Sequence, residues 1–62
     1  MPVLKMGDSG EEVKRLQGAL KIVMDGDFGP ATKAAVIAFQ KKHGLYPDGV
    51  VGRNSWAALG VA

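Results

Sequence analysis

Six side chains carry most of the chemistry available to this sequence: Tyr46, Asp48, Arg53, Asn54 and Trp56 in one short stretch, and Asp27 upstream of it. Together they are the parts of a recognition surface. An aromatic ring stacks on a flat face, and a guanidinium fork takes a carboxylate through two parallel bonds. Amide and carboxylate groups answer hydroxyls and amides. Catalytic arrangements are poorly represented. His43 is the only histidine, cysteine is absent, and no serine has an obvious His and Asp partner in sequence. His43 falls in the last turn of a helix before Gly44, a place that suits interaction with the helix C-terminus better than base catalysis. Asp25, Asp27 and Asp48 could supply paired carboxylates of the glycosidase kind, but Asp25-Gly26 and Asp48-Gly49 are already accounted for as turns. An EF-hand loop starting at Asp25 would need glycine at Pro30 and glutamate at Val36. Zinc has too few ligands. The sequence calls for no catalytic residue, no metal and no cofactor.

The elements that must position these residues are written as a repeat. Asp25-Gly26-Asp27-Phe28-Gly29-Pro30-Ala31-Thr32 returns 23 positions later as Asp48-Gly49-Val50-Val51-Gly52-Arg53-Asn54-Ser55, and Val13-Lys14-Arg15-Leu16-Gln17 returns at the same offset as Val36-Ile37-Ala38-Phe39-Gln40. Each unit reads as a glycine turn, a helix start and an apolar stripe. After an extended arm over residues 1–7, Asp8 or Ser9 is placed to cap a first helix, with Glu11 or Glu12 completing a capping box. Val13, Leu16 and Leu20 line one face of it. Gly18 weakens it by roughly 1 kcal/mol relative to alanine, and it frays by Lys21. Ile22-Val23-Met24 connects to the first Asp-Gly turn. Gly29-Pro30 opens a second helix with proline at its first position, Thr32, Val36, Phe39 and His43 lie along one face, and Gly44 caps the end. A short third helix runs from Arg53 or Asn54 to Leu59 and stops at Gly60. The expected fold is all-α: a small three-helix bundle with glycine-rich turns, two long helices and one short, forming a single domain over residues 1–62.

The repeat also assigns faces. Val13, Val36 and Leu59 share a core column, and Phe28 pairs with Val51. Ser9, Thr32 and Ser55 share a column expected to satisfy backbone groups at helix starts. Gln17 and Gln40 share another, expected to bond loop backbone. Trp56 aligns with Lys33, so it either stands partly exposed or packs on the arm around Val3 and Leu4. Tyr46 either covers the core beside its turn or presents its ring outward. Ile37, between Lys33 and Lys41, is either a partly exposed apolar contact or a single surface aliphatic of no consequence.

Sixty-two residues bury only about 60% of their unfolded surface, and without cysteine no disulfide or thiolate metal site reinforces the fold. The net charge is +2, a mild bias toward polyanionic surroundings that selects none in particular. No apolar run is long enough to span a bilayer, and no N-terminal signal segment is evident.

At these residues the chain resembles the bacterial peptidoglycan-binding domain family, three-helix cell-wall modules with an internal repeat. The resemblance runs from Leu4 to Leu59. It is carried by Gly7-Asp8-Ser9-Gly10 before Val13-x-x-Leu16-Gln17, then Asp25-Gly26-Asp27-Phe28-Gly29-Pro30-x-Thr32 and Ala35-Val36-x-x-Phe39-Gln40. It continues through His43-Gly44-Leu45, Asp48-Gly49-Val50-Val51-Gly52 and Trp56-x-x-Leu59. It implies a non-catalytic module that binds peptidoglycan and holds a linked or partner cell-wall hydrolase on its substrate, in the wall, periplasm or extracellular space, as part of a larger enzyme or phage lysin. Glycan and stem peptide are both open as ligands. On that reading Tyr46 and Trp56 would stack on sugars, Arg53 would take a stem-peptide carboxylate, and Asp48, Asn54 and Asp27 would contribute polar contacts. Arg53 stands where the family usually has proline, Ser55 where it has threonine, Gly18 where it has a better helix former, and the connector from Leu20 to Asp25 is short. Matrix metalloprotease pro-domains share the pattern but depend on a cysteine this chain lacks. Two other functions fit the class of small basic helical domains: a protein-interaction module using Trp56 and Ile37, and nucleic-acid binding. The scatter of Lys14-Arg15, Lys33, Lys41-Lys42 and Arg53 over separate elements argues against the latter.

Overall fold

The computed structural model describes residues 3–60. Three helices form where the repeat places them: α1 (Glu11–Leu20), α2 (Pro30–Lys42) and α3 (Arg53–Leu59). Of the expected arm, residues 1 and 2 lie outside the described residues. The rest of the arm is stitched to both turns. Leu4 and Val51 exchange two backbone bonds (3.1 and 2.8 Å), Gly7 N–H donates to Phe28 O, Phe28 N–H to Asp8 O, and Gly10 N–H to Gly26 O. Isolated antiparallel bridges at Leu4–Val51 and Ser9–Asp27 are the residue of this pairing.

The core is Leu4, Val13, Leu16, Phe28, Val36, Val51 and Trp56, with Leu20 and Leu59 packed against it. Five of these were expected from the repeat columns and the α1 stripe. Trp56 is only 2% exposed, and it shares the core with Leu4 of the arm. Val3, by contrast, faces solvent.

Three local expectations are corrected. Neither Asp8 nor Ser9 caps α1: the N-cap is Gly10, at φ +115°, with no side-chain cap bond. Asp8 instead accepts the Lys5 N–H at 2.9 Å, Ser9 is spent on its bridge to Asp27, and the Gly10 N–H is tied to Gly26 O. The Ser/Thr column does not cap helices either, since α2 and α3 begin at Gly29 and Gly52 without side-chain caps. On α2 the buried face is Thr32, Val36 and Gln40. Phe39 is half-buried and His43 exposed, their rings in tilted contact at 4.3 Å on the outer side. The core-facing slot of the last turn goes to the glutamine because its amide has loop backbone to satisfy.

The two helix ends are also copies. Ile22 N–H reaches back to Gln17 O, and Leu45 N–H to Gln40 O, the wide closing bond of a left-handed C-terminal cap. At the turning residue the copies differ: Gly44 sits at φ +69°, whereas Lys21 is forced to φ +60°. A side chain in that conformation costs roughly 1–2 kcal/mol, partly recovered because glycine is the more disordered residue when unfolded. Lys21→Gly is therefore expected to stabilise the fold by about 1 kcal/mol, read as a higher urea midpoint at unchanged slope.

Gly18 has a packing reason. A Cβ there would lie 3.2 Å from Met24 Cε, so the short connector folds its methionine over the gap. Ile37 also gains a role: it is half-buried, and together with the Lys33 stem it covers Gly49.

Candidate functional site

The centre of each repeat is a buried glutamine. Gln17 Nε2 donates to Asp25 Oδ1 (2.8 Å), Asp27 O (3.1 Å) and Thr32 Oγ1 (3.1 Å), and its Oε1 accepts the Gly26 N–H (2.9 Å). Gln40 Nε2 donates to Asp48 Oδ1 (3.2 Å), Val50 O (2.8 Å) and Ser55 Oγ (3.2 Å), and its Oε1 accepts the Gly49 N–H (3.0 Å). Each aspartate closes the loop by accepting the N–H two residues on, Asp27 to Asp25 and Val50 to Asp48, both at 3.0 Å. Partner for partner, the two clusters correspond at the repeat offset. Both glutamines are 1% exposed, and a buried amide persists only when bonded. The expectation that they bond loop backbone holds, with the aspartate and hydroxyl bonds in addition. The Asp27 N–H and the Gln17 amide hold the Asp25 carboxyl below its ordinary range, so it is ionised at neutral pH.

On this duplicated frame the expected recognition residues gather mainly at the second copy. Tyr46, Asp48, Arg53 and Asn54 line a shallow groove of ≈ 340 Å³, floored by Gln40, Val50 and Ser55. That volume lies at the lower end for ligand sites. Four of the six expected site residues are thus brought together. Tyr46 is 81% exposed, so it does not cover the core; its ring is free to stack. Arg53 occupies the first position of α3 and is exposed. A cation there opposes the helix dipole by some 0.3–1 kcal/mol, whereas the first copy has Pro30 in that place.

The other two expected residues are elsewhere. Trp56, buried in the core, offers no surface for stacking on a ligand. With Ile37 half-buried over Gly49, the apolar patch they were to form does not exist either. Asp27 belongs to the first copy and is exposed there, its carbonyl held by Gln17 and Thr32. Gln40 and Ser55 also line the groove, although the sequence favoured structural roles for both. The signal was the shared glutamine column, since whatever bonds the second turn must also border its surface.

Residues 9–59 match the family described as putative peptidoglycan binding domain, and the chain belongs to that family. It is 48% identical over 58 residues to a zinc D-Ala-D-Ala carboxypeptidase of Streptomyces albus G, covering 79% of this chain and 22% of the enzyme. Among solved structures it is similar to a peptidoglycan-binding protein of Clostridioides difficile in complex with glutamine hydroxamate (TM-score 0.92, 42% identity, 95% of this chain and 40% of that one). It is similar also to the Burkholderia AP3 phage endolysin (TM-score 0.91, 40% identity, 94% and 24%). The chain spans no more than 55% of the length of the curated relatives it matches. The family is one of non-catalytic peptidoglycan-binding modules found joined to cell-wall hydrolases.

Proposed function

We propose that the groove of the second repeat is the peptidoglycan site and that the module holds a linked hydrolase on the wall. The observation that carries this is the asymmetry of a duplicated frame. At corresponding positions the first copy presents Val23, Pro30 and Ala31, the second Tyr46, Arg53 and Asn54. Arg53 takes a stem-peptide carboxylate through its planar fork, Tyr46 stacks on a sugar face, and Asn54 answers amides and hydroxyls. The Asp48 carboxylate, with Oδ1 spent on Gln40 and Val50, sets the groove edge and keeps a second anion from sharing it. The module acts in the wall or outside the cell, wherever its enzyme meets peptidoglycan.

Co-sedimentation with teichoic-acid-free sacculi, against double-stranded DNA as competing polyanion, tests the reading. Pelleting that persists at moderate salt, with none on DNA, is the expected result. Arg53→Ala is expected to weaken sacculus binding about tenfold, the value of a charge-assisted hydrogen bond. Tyr46→Ala should weaken it by roughly five- to tenfold through lost stacking. Both side chains are exposed, so the helical circular dichroism of each variant should match the parent. Undiminished binding in both would remove the groove from consideration.

A further inference from the structure

Asp-Gly is the dipeptide most open to spontaneous isomerisation, because glycine leaves its backbone nitrogen unshielded from the preceding side chain. The chain places one such pair at the heart of each repeat, Asp25-Gly26 and Asp48-Gly49. In the reaction the glycine nitrogen gives up its proton and attacks the aspartate Cγ. A C–N bond forms, a C–O bond breaks, and the departing oxygen leaves as water, carrying the carboxyl's own proton and the one given up by the nitrogen. The resulting succinimide takes up water at either carbonyl, returning aspartate or giving isoaspartate with no net change in composition. Isoaspartate routes the main chain through Cβ and lengthens it by one atom.

We propose that both pairs are latent isoaspartate sites, and that the two glutamine clusters are clamps that keep them unreactive while the chain is folded. Each clamp engages both reacting groups at once. The nucleophile's N–H is donated to the glutamine Oε1, at 2.9 Å for Gly26 and 3.0 Å for Gly49, which opposes its loss. The electrophile's Oδ1 is fixed by two donors, the glutamine Nε2 and the N–H two residues on. That ties up one carboxylate oxygen and restricts the rotation of the side chain that attack would require. Both glycines are buried, Gly26 under the Lys14 stem and Gly49 under Lys33 and Ile37, so the base that would take the proton is kept off. At the first site the same bonds further favour the ionised carboxylate, which is the poorer electrophile. Unfolding releases every one of these restraints together. An added backbone atom at Asp48 would then prevent the Gln40 cluster from re-forming. Its cost to ligand binding rests on the groove reading above; the isomerisation itself does not.

The test is to incubate the chain at mildly alkaline pH, native and in urea, and to count isoaspartate in tryptic peptides. Lys21 and Lys33 bracket one site, and Lys42 and Arg53 the other, so each is read separately. Amide exchange of Gly26 and Gly49 is measured on the native sample. Native isomerisation is expected to fall below the urea rate by roughly tenfold or more at both sites, in proportion to the protection of the glycine amide. Gln40→Leu should raise the rate at Asp48-Gly49, and it should do so whether or not the remainder stays folded. A native rate equal to the urea rate while the glycine amides are protected would overturn the proposal. So would an unchanged rate at Asp48-Gly49 in Gln40→Leu.

Discussion

Gln40→Leu is expected to cost about 3 kcal/mol and lower the melting temperature by roughly 12–24 °C. Leucine fills much the same volume and buries well, so the loss is not one of packing. It comes from the four groups that Gln40 bonds. The Asp48 carboxylate can turn to water. The Gly49 N–H and the Ser55 hydroxyl sit in buried bonds, and each such group left unpaired costs roughly 1–3 kcal/mol. A chain of this size has only about 3–9 kcal/mol in total, so the variant stands close to unfolding at 37 °C. The duplicated cluster supplies its own control: Gln17→Leu removes the same four kinds of bond and should fall within about 1 kcal/mol of Gln40→Leu. Thermal and urea unfolding followed by circular dichroism measure both. A loss below about 1 kcal/mol in either variant would mean that water replaces the amide and that the cluster does not hold the turn.

Trp56→Ala is the second large effect, at about 3–5 kcal/mol, the range for removing a large aromatic from a close-packed core. Trp56 packs with Leu4, Val51 and the helices around them. Its loss leaves a cavity in the core that the Leu4–Val51 bridge closes. Helicity and sacculus binding should therefore fall together in this variant, whereas Arg53→Ala and Tyr46→Ala lose binding alone. A Trp56→Ala protein with native helicity and weakened binding would place the indole at the ligand after all.

Most of the frame was legible because it is written twice. The 23-residue offset pairs Gln17 with Gln40 and Phe28 with Val51, while local signals put Pro30 at a helix start and Gly44 and Gly60 at helix ends, and all three stand there. Local signals failed where a distant strand of chain competed with them. Asp8 and Ser9 have the chemistry of caps, but the arm's pairing with Phe28 and Asp27 claims both, and a glycine at positive φ takes the helix start instead. Trp56 aligned with Lys33, but the two positions are used differently: Lys33 lays its stem over Gly49, whereas Trp56 turns into the core that Leu4 of the arm shares. The groove was half legible for a related reason. Sequence spacing brought Tyr46, Asp48, Arg53 and Asn54 together, since all four lie on one turn and the helix it feeds. It could not separate Asp27, whose loop is built on the same plan as Asp48's but faces a different part of the surface.

The claim that matters most is that one of two matching frames has become the ligand site. Titrating the ¹⁵N-labelled chain with a soluble muropeptide, and following backbone amide shifts, tests it most directly. Saturable shifts are expected at Tyr46, Asp48, Val50 and Arg53 through Ser55, with residues 23–31 unmoved. Shifts centred on residues 23–31, or spread evenly over both copies, would contradict it.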